Sequence, residues 1–375
     1  MTEGHLKRRI GLGLLTAYGV GVMVGSGIYV LVGAIAGQAG VWAPVSFLIA
    51  GLIAAPAALS YAEFSTRLPE AAGEAAYVAQ GLRSPALALL VGLGIVASGT
   101  ISAGAVLRGG AGYLADGFGV LESLAFAAIF TAVELLGLVL VIWAGFTATP
   151  SADWTAPAAP VWSGIGVAAV LAFFAFIGFE DIVNMAEETH DPTRTLPRAI
   201  LISLAITATI YALVAWAAVR AVPLGQLAAS DSPLALVWQT SRGDNAAFLS
   251  AIAVFAALNG VLAQIVMAAR VLFGLGRRTP ALAIFHHAHP RFGTPVAATL
   301  LIGTLVILAA LFVRLTTLAE MTSAILLGVF TLVNLALILE KRREPDAPFR
   351  TPFWVPVAGA ILSAGGLLFT LGAGS

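Results

Sequence analysis

The sequence contains no cysteine and few charged residues. Only 10% of its 375 residues are Asp, Glu, Lys or Arg, whereas a soluble domain carries about 25% charged residues. Without cysteine the chain forms no disulfide, no thiolate metal site and no cysteine nucleophile. Because so few charges cannot cover a water-exposed surface, the composition excludes an ordinary soluble protein.

Several patterns that carry enzymatic or nucleic-acid chemistry are also missing. The 19 basic and 19 acidic residues cancel, so net charge indicates no nucleic-acid partner. The sequence has no phosphate-binding loop and no hydrolase triad, so we expect neither an enzyme nor a cofactor. His286, His287 and His289 lie close together, but no carboxylate stands near them at ligand spacing, so we expect no metal site.

What the sequence has in abundance is long apolar runs. Hydrophobic residues make up 59% of the chain, and a helical crossing of the bilayer needs about 20 of them in a row. Ten segments meet this requirement, which predicts an all-α polytopic membrane protein with lipid around it. The predicted spans are 10–37, 42–66, 86–107, 121–147, 162–187, 197–221, 246–273, 295–313, 316–339 and 353–373.

Lysine and arginine predict the orientation of these spans. Basic residues collect in cytoplasmic connections, so Lys7, Arg8 and Arg9 predict a cytoplasmic N-terminus in a plasma or bacterial inner membrane. With this orientation 15 of the 19 basic residues are cytoplasmic. The four on the other side are Arg108, Arg220, Arg242 and Arg314.

Segment 116–150 conflicts with this orientation. Both of its ends must then lie outside the cell, yet it contains one good crossing. Two short or half-crossing helices would satisfy the charge pattern. Because about 35 residues cannot form two full crossings and a turn, we favour the interpretation that sequence has been lost here.

The first predicted span is interrupted by glycine. Three glycines and Ser26 fall within residues 21–27, and each glycine weakens a helix by about 1 kcal/mol relative to alanine. This predicts an unwound stretch in mid-membrane, whose free N–H groups attract a carboxylate together with the following half-helix. The alternative is that the glycines form a close-packing face between helices.

The fifth predicted span carries a second interruption. Residues 173–181 read Phe-Phe-Ala-Phe-Ile-Gly-Phe-Glu-Asp, and a carboxylate inside a membrane costs roughly 2.5–3.5 kcal/mol. Glu180 and Asp181 are therefore functional candidates, and Phe174 and Phe176 could close over a ligand. The alternative is that the phenylalanines pack against lipid or core and the carboxylates sit at the cytoplasmic rim.

The two interruptions together predict a transport site. They occupy corresponding positions of two halves and run in opposite directions through the membrane, as inverted repeats require. Carbonyl groups freed near residues 175–178 could accept an ammonium group, while the first interruption attracts a carboxylate. An α-amino acid carries both groups.

Four stretches of the sequence carry recognisable motifs. They are Gly25–Tyr29 (G-S-G-I-Y), Tyr61–Tyr77, Phe173–Pro197 and Arg270–Pro295. In this order they resemble the amino acid–polyamine–organocation superfamily of permeases, in particular its cationic-amino-acid-transporter-like branch. The resemblance covers nearly the whole chain.

The resemblance implies a LeuT-type fold of two inverted five-helix repeats. We assign an incomplete first repeat to residues 1–150, the second repeat to 151–345, and an extra C-terminal span to 346–375. Ten to eleven spans are expected, with one helix apparently missing from the first repeat and the last helix of the family absent.

The resemblance also implies roles for individual residues. The substrate carboxylate is expected at Gly25, Ser26 and Gly27, with Met23 at the pocket wall. The substrate amine is expected at the carbonyls of Ala175, Ile177 and Gly178, with Phe174 as an aromatic gate. The gating and coupling candidates are Phe176, Glu180, Glu134, Asp191 and Arg194, together with the loop 67–83.

Glu134 is the main departure from the family pattern. Many proton-coupled relatives carry a lysine at the matching place in the fifth helix. Glu134 could itself carry a proton if burial raises its pKa, or it could be a carboxylate at a helix end or an aqueous crevice.

These observations predict a secondary transporter. We expect alternating-access uptake of an amino acid, coupled to protons, through the lipid bilayer; the sequence assigns no oligomeric state. The alternatives are a non-transporting binding or sensor protein, or a defective permease, because a helix is missing. An intramembrane enzyme lacks a catalytic constellation.

Overall fold

The structure is a computed structural model that describes residues 10–24, 27–68, 73–114, 124–151, 157–287 and 295–373. Fourteen α-helices lie in this part of the chain. They are α1 (Leu12–Val24), α2 (Ile28–Ala39), α3 (Ala43–Arg67), α4 (Gly73–Leu82), α5 (Pro85–Leu114), α6 (Leu124–Thr147), α7 (Trp162–Phe174), α8 (Pro192–Ala221), α9 (Leu224–Ala229), α10 (Pro233–Arg242), α11 (Ala247–Arg278), α12 (Val296–Phe312), α13 (Leu315–Arg343) and α14 (Trp354–Ala373). Short 3₁₀ segments cover Gly40–Trp42, Glu180–Glu188 and Pro280–Phe285.

Each of the ten predicted spans coincides with one of these helices or with an interrupted pair. Six apolar stretches are long enough to cross a membrane by length and composition, and there are four shorter apolar helices besides them among the described residues. Two of the shorter ones, α1 and α7, are the first halves of the predicted interrupted spans. The protein is therefore an all-helical, polytopic membrane protein.

The outer surface of the helices is apolar, as lipid requires. Phe312 is 79% exposed and Leu368 is 70% exposed, and exposed leucines and isoleucines run along α12. A soluble protein rarely exposes a large contiguous apolar patch. The exposed apolar faces therefore mark the surface that contacts the bilayer.

The starts of α1 and α8 define one side of the molecule. Ile10 forms an isolated β-bridge with Thr189, and the His190 N–H donates to the Ile10 carbonyl at 2.9 Å. We call this side the N-terminal face. The ends of α3 and α13 also lie there, because α3 and α4 contact the segment Glu180–Glu188 that leads to Thr189 and Arg67 Nη1 donates to the Glu344 carbonyl at 2.8 Å.

The ends of α6 and α8 meet on the other side, which we call the opposite face. Arg220 Nη1 lies 2.8 Å from the Gly145 carbonyl and 2.6 Å from the Ala148 carbonyl. The end of α5 reaches this face too, since Arg108 Nη1 donates to the Ala310 carbonyl near the end of α12 at 2.7 Å.

It follows that α5 and α6 run in the same direction. The start of α5 lies on the N-terminal face, because it follows α4, whose Gly81 carbonyl accepts from Arg343 Nη1 at 2.8 Å. Both helices end on the opposite face. Segment 116–150, whose length conflicts with the charge pattern, thus contains one described helix, α6. The two consecutive spans α5 and α6 are therefore parallel.

Candidate functional site

The first predicted interruption is present in the structure. Helix α1 ends at Val24 and α2 begins at Ile28, with Gly27 between them in a turn. The Gly27 carbonyl accepts the first hydrogen bond of α2, from the Leu31 N–H at 2.9 Å. Gly25 and Ser26, both predicted to bind the carboxylate, lie outside the described residues.

The second interruption is also present. Helix α7 ends at Phe174, and the next residues form tight turns in which the Ala175, Phe176 and Ile177 N–H groups bond three residues back. Gly178 has a φ of +123°, a conformation that side chains with a Cβ rarely adopt. Its N–H donates to Glu180 Oε2 at 2.9 Å, so Glu180 stabilises this turn.

The two interruptions pack directly against each other. A Cβ added at Gly27 would collide with the backbone of Ala175, and one added at Gly178 would meet the Val22 side chain at 2.7 Å. The glycines thus permit the two backbones to approach where each helix has lost its winding. Elsewhere in the first span, Gly19 and Gly21 pack against α8 and α6, so both interpretations of these glycines hold, at different positions.

Tyr211 joins the two interrupted helices. Its hydroxyl lies 2.7 Å from the Met23 carbonyl at the end of α1 and 3.0 Å from the Ala175 carbonyl after α7. A buried backbone carbonyl needs a hydrogen-bond donor from the protein. The single proton of the Tyr211 hydroxyl lies between carbonyls of both interruptions and so ties them together.

Aromatic packing holds Tyr211 in place. Its ring centroid lies 5.6 Å from that of Phe47 and 5.4 Å from that of Phe176. Sequence reasoning missed Tyr211; a lone tyrosine in the middle of an apolar span was the available signal. Phe176, predicted to gate a ligand, here braces Tyr211 and also lies against Gly51 of α3.

The predicted substrate residues are brought together and are closed off. Met23, Phe174, Ala175 and Ile177 are all buried, with at most 3% of Ile177 exposed. They surround the meeting point of the two interruptions. Their roles in binding stay predictions, and in this structure all four side chains are shielded from solvent.

Glu134 lies beside the first interruption. It is 1% exposed, and neither carboxyl oxygen completes a hydrogen bond within the described part of the chain. Asn259 of α11 faces the carboxyl group, and Tyr29 of α2 donates to the Glu134 backbone carbonyl at 2.8 Å. This position agrees with the expectation that Glu134 lies near the unwound first helix, and its role as a proton carrier or as a carboxylate at a helix end or an aqueous crevice stays a prediction.

Asp191 and Arg194 lie away from this centre, on the N-terminal face. Arg194 Nε is 3.7 Å from Asp191 Oδ2, and their side chains are 77% and 54% exposed respectively. Such exposed pairs contribute about 0–1 kcal/mol. The structure gives them a surface position and leaves their gating role a prediction.

A buried ionic network, not foreseen from the sequence, joins α3 to α13. Glu63 is fully buried, and Lys341 Nζ approaches its Oε2 at 2.6 Å while Arg67 Nη2 approaches its Oε1 at 2.7 Å. The backbone N–H and hydroxyl of Thr351 also donate to Oε2, at 2.8 and 2.7 Å. This network fastens the segment before α14 to the end of α3 on the N-terminal face.

The family can be assigned by comparison with known proteins. The profile described as "Amino acid permease" matches residues 110–374, more than two thirds of the chain. The chain belongs to the amino acid permease family. This family is part of the amino acid–polyamine–organocation superfamily, so the resemblance drawn from the motifs is confirmed, and the permease is a transporter and not an enzyme.

Relatives of the permease come from bacteria, animals and plants. The "Branched-chain amino acid permease BcaP" of Bacillus subtilis (strain 168) is 29% identical over 99% of this chain and 89% of its own length. The "Methylthioribose transporter" of the same organism is 28% identical over 94% of this chain and 85% of its own. The human "Cationic amino acid transporter 4" is 31% identical over 92% of this chain, which spans only 62% of that relative's length.

The alignment with the Bacillus branched-chain permease is longer than the chain itself. It extends over 418 positions, whereas the permease has 375 residues. At least 43 positions of that relative therefore have no counterpart here. A helical crossing with its turn needs about 25 to 30 residues.

Tyr211→Phe tests the link between the interruptions. Removing the hydroxyl leaves the Met23 and Ala175 carbonyls without this donor, which costs about 1–3 kcal/mol, while the ring keeps its contacts with Phe47 and Phe176. We expect a lower thermal unfolding midpoint in detergent. Thr209→Val, which removes an exposed hydroxyl from the same helix, serves as control; an equal midpoint for both variants would contradict the proposed role of Tyr211.

Lys341→Met tests the buried network. Because Glu63 is then a buried carboxylate without its closest cation, we expect a loss of about 3 kcal/mol of stability. The matched control is Arg194→Met, which removes a cation from an exposed pair and should cost less than about 1 kcal/mol. Thermal unfolding of both purified variants measures the difference, and similar midpoints would show that the Glu63 network contributes little.

Proposed function

We propose that this permease carries an α-amino acid across the membrane by alternating access between the two faces. The observation that carries the proposal is the meeting of two oppositely directed, interrupted helices, which share the Tyr211 hydroxyl. Unwound backbone at mid-membrane is tolerated only where it is buried in protein or lines a cavity. In transporters built from inverted repeats, such a meeting point is where substrate binds.

The geometry suits the two charged groups of an α-amino acid. The N-terminus of α2 and the residues Gly25, Ser26 and Gly27 would hold the carboxylate, because a helix N-terminus presents unpaired N–H groups. The carbonyls after α7, from Ala175 to Gly178, would hold the ammonium group. Met23, Phe174 and Ile177 would contact the side chain of the substrate.

The relatives support an amino acid as the substrate class. Two of them are named as a branched-chain amino acid permease and a cationic amino acid transporter, whereas a third is named for methylthioribose. Methylthioribose has neither a carboxylate nor an ammonium group. A site with one helix N-terminus and one set of backbone carbonyls at an interruption favours the substrate that has both.

We propose that Glu134 couples transport to protons. A buried carboxyl group without a completed hydrogen bond is costly when charged, so the neutral, protonated form suits the closed arrangement. Thr131, one turn before Glu134, lies against Gly21 of α1. Loss or gain of the proton on Glu134 would therefore alter the packing of α6 against the first interruption.

The LeuT-type division into repeats 1–150 and 151–345, followed by 346–375, is part of this proposal. It is supported by the opposite directions of the two interrupted helices: α1 starts on the N-terminal face, whereas the start of α7 packs against the end of α2, where Gly164 lies against the Gln38 carbonyl. The basic residues on the N-terminal face, such as Arg67 and Lys341, support a cytoplasmic location for it in the cell membrane.

We further propose that a return crossing has been lost between α5 and α6. These consecutive helices run in the same direction, and only nine residues, 115–123, separate them, whereas a helical crossing needs about 20. The unmatched positions in the Bacillus relative are enough for such a helix. This observation favours a second candidate function, a permease-like protein that binds an amino acid without transporting it.

Uptake and binding measurements separate the two candidates. The protein is reconstituted in liposomes with an imposed proton gradient, and the uptake of labelled amino acids is compared with their binding to the purified protein. Uptake that stops when the gradient is collapsed supports the proton-coupled transporter. Binding without uptake supports the binding protein, and absence of both from a folded sample contradicts the proposed site.

Gly27→Ala tests the meeting point. The new methyl group would collide with the Ala175 backbone, so the two interruptions could no longer close on each other, and we expect amino-acid binding to weaken by at least about tenfold. Gly303→Ala in α12 is the control, because a methyl group there meets open space. Equal affinities for the two variants would argue against a substrate site at Gly27.

Glu134→Gln tests the coupling. The amide keeps the size of the carboxyl group but cannot release a proton, so uptake should no longer depend on the proton gradient, while exchange of labelled for unlabelled amino acid persists. Glu320→Gln, at a partly exposed site on α13, is the control. Gradient-driven uptake that is unchanged in Glu134→Gln would assign the coupling to another group.

A further inference from the structure

Three carboxyl groups are buried together beneath the second interruption. Glu74 of α4, Glu180 and Asp181 are each 3% exposed. The charges that act on Asp181 are Glu180 and Glu74, and the charge that acts on Glu180 is Glu74. Like charges this close inside a protein repel one another strongly.

No cation balances this group within the described part of the chain. Helix α4 and the segment Glu180–Glu188 pack against α1, α3, α5, α8 and α13. In the halves of α1, α3, α4, α5, α8 and α13 that lie towards the N-terminal face, the other titratable and charged residues are Tyr18, Tyr61, Glu63, Arg67, Tyr77, Arg194, Arg198, Glu340, Lys341, Arg342 and Arg343. Arg67 and Lys341 are occupied by Glu63, Arg343 pairs with Glu340, Arg194 is exposed beside Asp191, and Arg198 and Arg342 are exposed.

Glu63 is a buried carboxylate whose negative charge is balanced by cations and hydrogen bonds. It accepts hydrogen bonds from two cations and from Thr351. Asp181 differs, because its Oδ1 is buried and has no hydrogen-bond partner among the described residues. Leaving an ionised carboxylate in that condition is far more costly than leaving it protonated.

The Tyr61 hydroxyl is a second, independent sign of a ligand here. It is fully buried and faces Glu74 without completing a hydrogen bond. The ring of Tyr61 is fixed by edge-to-face contacts with Tyr77 at 6.0 Å and Phe179 at 5.8 Å. The hydroxyl is therefore held among the carboxyl groups as an unused polar group.

The ligand must be very small. Among the described residues no group of three or more His, Asp or Glu side chains is arranged to hold a metal ion, which favours a proton as the bound cation. A proton neutralises a carboxyl group without a shared coordination site. Burial raises the pKa of Glu74 to about 7, close to the pH of a cytoplasm.

We propose that Glu74, Glu180 and Asp181, around the Tyr61 hydroxyl, form a proton-binding site that keeps the N-terminal face closed while protonated and releases protons when this face opens. The site is distinct from Glu134, which lies beside the first interruption. The link between the Glu74, Glu180 and Asp181 site and a transport cycle rests on the proposed function, whereas the protonation of this site does not depend on it.

The direction of the pH effect follows from Glu74. Its pKa is 4.5 in water and about 7 when buried, so the arrangement that buries it loses stability relative to one that exposes it as the pH rises from 4.5 to about 7. Above that range the loss is complete. Acid therefore favours the closed N-terminal face, and neutral to alkaline pH favours opening.

Infrared spectroscopy of the reconstituted protein tests the protonation directly. The carbonyl stretch of protonated carboxyl groups is followed between about pH 5 and about pH 9. We expect a component that disappears near neutral pH and is lost in Glu74→Gln, whereas Asp181→Asn should remove a separate part of the protonated-carboxyl signal and leave the Glu74 component in place. Asp244→Asn, which changes an exposed carboxylate, should leave the titration unchanged.

Cysteine labelling tests the coupling to closure, and the cysteine-free chain makes it simple. Ala186→Cys places a thiol at a site that is 1% exposed in the 3₁₀ segment after the second interruption. The rate at which a maleimide labels this thiol is compared with the rate for Ala86→Cys, an exposed position on α5. The ratio of the two rates removes the effect of pH on thiol ionisation. We expect this ratio to rise at least about threefold between about pH 6 and about pH 8, and to lose this rise when Glu74→Gln is added.

Two results would overturn the proposal. One is an infrared titration that is identical in the starting protein, Glu74→Gln and Asp181→Asn. The other is a labelling ratio that does not change with pH or that changes equally with and without Glu74. Because neither measurement needs transport, both remain decisive if uptake is absent and the proposed function fails.

Discussion

The structure depends on how it satisfies backbone groups that two interrupted helices release inside the protein. Neither water nor lipid pairs with groups buried there, so partners must come from the protein. Tyr211 supplies one hydroxyl for carbonyls of both interruptions, Glu180 accepts from the Gly178 N–H, and Gly27 permits the close approach of Ala175. This mutual satisfaction explains why the two interruptions occur together: each one provides the surroundings in which the other is tolerated.

Buried carboxyl groups are treated in two different ways. Glu63 receives cations and hydrogen bonds from three helical or loop segments and serves to fasten the N-terminal face. Glu134 and Asp181 receive almost nothing, although both are buried. A balanced buried charge is structural, whereas an unbalanced one is costly unless it binds a proton. The difference in partners, not in burial, separates the structural carboxylate from the candidate proton carriers.

The parallel course of α5 and α6 is the least usual feature of the permease. Consecutive spans normally alternate in direction, and the family relatives have enough additional positions for a return helix. Helices α6 and α8 nevertheless end together, and Glu134 still lies beside α1 and α2. The contacts that form the candidate site come from α1, α2, α3, α7 and α8, so they do not depend on a helix between α5 and α6.

The sequence by itself determined the membrane class, the ten apolar segments, the two interruptions and the family, because composition, run length and local glycine content are local properties. It also located the anomaly in segment 116–150, since the charge pattern conflicts with segment length. Only the tertiary structure decided that Tyr211 joins the interruptions, that Lys341 and Thr351 balance Glu63, and that Glu74 joins Glu180 and Asp181. These partners are separated by tens to hundreds of residues, and no spacing rule reaches across such distances; helix packing alone brings them together.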